Sequence, residues 1–97
     1  MKIRFVVCLD DLSEQEENQI TQFFQSDKTV GFWHWFVGVW FLSDPTGKWN
    51  AVKLRDALQG LIPNRNMMIV QFSGSQTWAG FGSKEMFDWM HQSWDRD

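Results

Sequence analysis

At 97 residues the chain has the length of one domain, 1–97, with no tract left over for a second core. Nine Lys and Arg against twelve Asp and Glu give a net charge of −3 and a pI near 5.2, which argues against the basic footprint that duplex nucleic acid requires. The single cysteine, Cys8, excludes an internal disulfide and a cysteine-based structural zinc site, and no stretch of about 18 apolar residues is present to span a bilayer.

Ile3 to Leu9 is the first predicted strand, apolar on much of both faces and therefore central in its sheet. Ile3, Phe5, Val7 and Leu9 line one side, and Arg4, Val6 and Cys8 the other. The apolar run ends at Asp10-Asp11 without a small-residue cleavage site, so it reads as the opening strand of a cytoplasmic protein and not as a signal peptide. Cys8 is expected to be a small buried hydrophobe. Ser13-Glu14-Gln15-Glu16 is a capping box, and Glu14, Glu16 and Glu17 suit the positive end of the helix that follows. That helix runs to about Gln25 and buries Ile20, Phe23 and Phe24 on one stripe.

Val30 to Ser43 is too aromatic and β-branched for a helix and too long for one strand. It predicts two strands, bent near Val37-Gly38, and Asp44-Pro45-Thr46-Gly47 then forms a turn. Trp49 to Leu61 is helical, with Ala51, Leu54, Leu58 and Leu61 in register and Pro63 as the stop. Asn66 to Phe72 is the next strand. Ser73 to Gly82 is a glycine- and serine-rich loop carrying Trp78, and Ser83 caps a last helix with Phe87, Met90 and Trp94 on one side. The order β-α-β-β-α-β predicts an α+β, ferredoxin-like antiparallel sheet with an added C-terminal helix.

Seven Trp and nine Phe, with no Tyr, carry about 150–250 Å² of ring surface each. One small monomer is not expected to hide all sixteen, so the composition predicts rings at an interface and a homodimer or a protein partner. Trp33, His34, Trp35 and Trp78 are the candidate partner or ligand contacts. Alternation sets His34 on the face opposite Trp33 and Trp35, where it is a polar residue among aromatics, a ligand-stacking ring or a general base. His91 reads as a solvated histidine near a helix C-terminus. Asp10 and Asp11 leave the first strand together. Doubled by dimer symmetry, they could hold Mg²⁺ or Mn²⁺ at Asp10 for phosphodiester cleavage, and otherwise they are good turn residues. Lys2, Arg4 and Arg65 are the basic residues that a dimer could gather on one face. The Ser73-Gly74-Ser75 and Ala79-Gly80-Phe81-Gly82 segments match phosphate-cradling loops in composition only, since no Gly-Lys-Ser/Thr follows.

Trp33-His34-Trp35-Phe36 followed by Val39-Trp40-Phe41-Leu42 resembles a segment of the SinR-like proteins, relatives of the small CRISPR-associated endoribonucleases. Val52 to Leu58 is similar to that family's second-helix signature. Met68 to Gly74 is similar to its last main strand, Trp78-Ala79-Gly80-Phe81-Gly82 to its tryptophan-glycine turn, and Trp89 to a tryptophan of its closing helix. The resemblance covers roughly residues 1–94 and implies a ferredoxin-like homodimer of bacterial or phage origin. It also implies a divalent metal at Asp10 in those members that are nucleases. Leu9 stands where the family has an aromatic, and Asp11-Leu12-Ser13 replaces its Gly/Pro-containing loop.

Three functions are compatible with these features. The first is a non-catalytic homodimeric module binding a protein partner through aromatic surface. The second is a Mg²⁺- or Mn²⁺-dependent endonuclease acting on RNA or DNA through Asp10 and Asp11. The third is a single-stranded nucleic-acid binder stacking bases on tryptophan, which the acidic charge disfavours.

Overall fold

The structure is a computed structural model that describes residues 2–74 and 77–96. Ser75 and Gln76, in the glycine- and serine-rich loop, lie outside the described residues. The elements are β1 (Ile3–Leu9), α1 (Glu14–Ser26), β2 (Gly31–Phe36), β3 (Val39–Asp44), α2 (Ala51–Leu61), β4 (Met67–Phe72) and α3 (Lys84–Trp89), which continues as a π-helical turn, Met90–Trp94. The four strands form one antiparallel sheet in the order β2-β3-β1-β4. This is the ferredoxin-like arrangement with an added C-terminal helix. β1, apolar on both faces, lies between β3 and β4.

One face of the sheet carries Phe5, Val7, Leu9, Trp40 and Leu42. Helices α1 and α2 cover it with Ile20, Phe24, Leu54 and Leu58, and Ile62 closes the same core. The helices form where local chemistry starts them. In α1 the Ser13 hydroxyl accepts from the Glu16 amide at 3.1 Å, and the Ser13 amide donates to Glu16 Oε1 at 2.9 Å, so two orphan donors of the first turn are satisfied. In α2 the Asn50 side chain accepts from the Lys53 amide at 2.8 Å.

The β2–β3 connection depends on Gly38. Its φ is +74°, and a Cβ placed there would lie 2.4 Å from the Leu9 carbonyl oxygen. That close approach lets the Leu9 amide donate to the Gly38 carbonyl at 2.8 Å, which joins the hairpin turn to the end of β1.

The second face is half covered. α3 and its π turn lie against Trp33, Phe41 and Phe72, with Trp94 5.5 Å from Phe41 and 5.8 Å from Phe72 between ring centroids. A helix C-terminus leaves carbonyl groups without intrahelical donors. Here the sheet supplies them: Arg4 Nε donates to the Trp94 carbonyl, Ser43 Oγ to Ser93 at 2.9 Å, and Lys2 Nζ to Ser93 and Arg96. Arg4 is fully buried. The expectation that Lys2, Arg4 and Arg65 gather as a basic face is therefore corrected. Two of them hold the C-terminal turn, which also suits its negative dipole end, and Arg65 pairs with Glu16 at 3.2 Å. Cys8 is likewise only half-buried, because it faces the uncovered half of the sheet.

Candidate functional site

The chain's aromatic excess collects at one place, the junction of β2, the 77–82 loop and α3. Trp33 is buried at the centre, with ring centroids 5.0 Å from Trp35, from Phe36 and from Phe41. The β2–β3 register shifts between Trp33 and Phe36, so strict alternation fails there. As a result Trp35, on the same face as Trp33, and the next residue, Phe36, are both exposed. Opposite them the loop presents Phe81, flanked by Gly80 and Gly82 and 100% exposed. Phe36 and Phe81 rim a cleft of about 150 Å³ floored by Trp33, Phe41, Met86 and Met90, with Trp35 beside it against Trp33. Among the described residues, no charged side chain lines it. The Trp33 indole N–H is buried there without a hydrogen-bond partner.

Trp78 forms the far wall. Its indole N–H donates to Asp95 Oδ1 at 2.9 Å, and its ring lies 6.0 Å from Phe87 and 5.4 Å from His91. His91 is exposed and 3.4 Å from Asp95. The structure thus brings Trp33, Trp35 and Trp78 of the predicted contact set together. It adds Phe36, Phe81, Met86 and Met90. Helical spacing places Met90 on a common side with Phe87 and Trp94, but it does not single out Phe36, which becomes exposed only through the bulge, or Phe81, exposed only through the path of the loop.

His34 goes elsewhere. Its ring stacks on Trp40 at 4.1 Å with an interplanar angle of 9°. Nδ1 donates to the Val39 carbonyl at 2.7 Å, and Nε2 lies 3.0 Å from Glu17 Oε1, which also accepts from the Gly38 amide at 3.1 Å. The side chain ties α1 to the β2–β3 hairpin.

Asp10 and Asp11 are both exposed at the end of β1. The Asp10 amide donates to the Asn66 carbonyl at 3.0 Å, and Asp11 has a φ of +55°, a conformation uncommon outside glycine. Among the described residues no group of three or more His, Cys, Asp or Glu is placed to hold a metal ion. An ion at Asp10 would need further ligands from a second copy, from substrate or from water.

The other half of the second sheet face is apolar and uncovered. Cys8 pairs with Val39 and Met68, and Val6 with Val70 on one side and, on the other, with Phe41, which α3 already covers, so Val39, Cys8 and Met68 form one row and Val6 and Val70 another beside it. Met68 is 66% exposed and Val70 43%. Among the described residues no helix is long and apolar enough to cross a membrane.

No family model matches the chain, and neither a curated protein nor a solved structure does so.

Proposed function

We propose that this chain is a homodimeric protein-binding module of ferredoxin-like fold. A second copy covers the uncovered half of the sheet, and the aromatic cleft takes an apolar anchor of a partner protein. The observation that carries this reading is where the exposed apolar residues fall. Among the described residues, Trp35, Phe36, Met68, Val70 and Phe81 stand on or beside the second sheet face, while of the other exposed apolar side chains Val37 is at the β2–β3 turn and Val52 on α2. Contiguous apolar surface of this kind marks interaction sites on small domains. An uncharged cleft with aromatic rims is the kind of pocket that holds a buried anchor residue.

Sedimentation equilibrium tests the self-association. The wild type is expected to be a dimer at about 50 µM, and Val70→Glu a folded monomer, because a desolvated unpaired charge costs several kcal/mol at an interface. A monomeric wild type would remove the homodimer from the proposal.

A second reading, a Mg²⁺- or Mn²⁺-dependent nuclease, is supported by two adjacent exposed carboxylates, Asp10 and Asp11, on a strained turn. It predicts metal-dependent cleavage of labelled RNA or DNA that Asp10→Ala abolishes. No cleavage, or equal cleavage by both proteins, ends that reading.

A further inference from the structure

On the opposite side of the molecule the end of α1, the β3–α2 loop and the start of α2 enclose a cavity of about 360 Å³ that is open to solvent on one side. This volume is at the lower end of the ~300–1,000 Å³ range of small-molecule sites. Phe5, Phe24, Leu42 and Leu54 form its floor, and Phe23 and Trp49 stand as walls with ring centroids 6.1 Å apart. Its charged side chains are Asp27, Lys28, Asp44 and Lys48, beside the Ser26 hydroxyl, which donates to the Phe23 carbonyl at 2.6 Å.

The donor and acceptor count at these four decides what the cavity can take. A carboxylate offers about four acceptor positions. Asp27 has all four filled. Oδ1 accepts from the Thr29 amide at 3.0 Å and its hydroxyl at 2.7 Å, and Oδ2 accepts from the Trp49 indole at 3.0 Å and Lys48 Nζ at 2.8 Å. Asp44 is fully buried and accepts from the Thr46 amide, the Thr46 hydroxyl and the Trp49 amide. Asp27 is left no acceptor for a ligand, and Asp44 keeps one position, on Oδ2 of a side chain that solvent does not reach.

The free capacity that reaches solvent is on the donor side. Lys28 is exposed and, among the described residues, has no ion pair. The Lys48 ammonium carries three N–H donors and is about half exposed, with Asp27 as its one ion-pair partner among the described residues. A cavity with an aromatic floor and walls, rimmed by the Lys28 ammonium and by the Lys48 donors that Asp27 does not take, suits a molecule with an apolar body and one anionic end. It suits an amine less, because the one carboxylate acceptor position left belongs to the fully buried Asp44. We infer that this cavity is a binding site for a small amphipathic carboxylate, its alkyl or aryl body against Phe23, Val30 and Trp49 and its carboxylate between Lys28 and Lys48.

Decanoate is the probe and 1-decanol its neutral counterpart, each titrated into the full chain and followed by ¹H–¹⁵N amide shifts and tryptophan fluorescence. Decanoate is expected to saturate a single site below about 5 mM, with the shifts centred on residues 23–30 and 48–54, and to bind about tenfold or more tightly than 1-decanol. Lys28→Glu changes an exposed side chain outside the core and is expected to weaken decanoate by about tenfold while leaving 1-decanol unchanged. Val30→Trp, which fills the mouth, is expected to block both. Absence of saturation, equal affinity for 1-decanol, unchanged affinity in Lys28→Glu, or shifts centred on the Trp33–Phe81 cleft would each overturn the inference.

Discussion

Gly38 shows how much a single position can carry. It is the turn of the β2–β3 hairpin, its carbonyl accepts from Leu9, and its amide donates to Glu17, the residue that also holds His34. Gly38→Ala would combine a left-handed backbone, which costs about 1–2 kcal/mol for a residue with a Cβ, with a contact to the Leu9 carbonyl oxygen far inside van der Waals distance. The expected loss in urea unfolding is about 3 kcal/mol, with loosening of Trp35 visible in its fluorescence. A loss under about 0.5 kcal/mol would mean that the turn relaxes freely. His34 and Arg4 belong to the same scale. Both look like surface groups in the linear chain, and both are held by acceptors remote in sequence: Glu17 for His34, the last carbonyls of the chain for Arg4.

Among the elements, the junction of α1 with the β3–α2 loop depends on one carboxylate. The Lys48 ammonium, then Thr29 and the Trp49 indole, hold Asp27 far below the usual carboxylate range. In the unfolded chain an aspartate titrates near ~3.9. A group whose pKa is depressed by folding stabilises the fold fully above the unfolded value, and that contribution disappears as pH falls toward the folded one. Wild-type stability is therefore expected to fall between about pH 5 and pH 2, and Asp27→Asn to flatten that slope while costing about 1 kcal/mol at neutral pH. Chemical denaturation at several pH values measures both, and an unchanged slope in Asp27→Asn would mean that other carboxylates carry the acid sensitivity. Glu16 is shifted in the same direction, by the Ser13 amide first and by Arg65 further on. Its capping role was legible in the sequence, because Ser13 and Glu16 are three residues apart and a helix start needs nothing more. The Asp27 network was not legible, because Lys48 and Trp49 are 21 and 22 residues away on another element.

At the scale of the whole molecule, the two sheet faces have different fates. The first is closed by α1 and α2 in the usual ferredoxin-like way. The second is shared between the α3 turn and uncovered surface. Self-association and partner binding are assigned to that second face, and the small-molecule cavity to the first. The two assignments can thus fail independently. A monomeric wild type would leave the decanoate site standing, and an empty cavity would leave the dimer standing.

The amino-acid sequence by itself determined the order and kind of the elements, the central position of β1 and the capping box of α1. It also indicated that the sixteen rings would not all be hidden in one monomer. These follow from local periodicity, turn chemistry and total ring area, which are properties of neighbours along the chain or of composition. Only the tertiary structure decided which rings stay exposed, that Arg4 is a buried cap for the C-terminal turn, that His34 is tied to Glu17, and that Trp33 and Phe81 share a cleft. Each of these depends on pairing across strands or on a loop path that brings together residues tens of positions apart. A β-bulge of one residue between Trp33 and Phe36 was enough to change which side chains reach solvent.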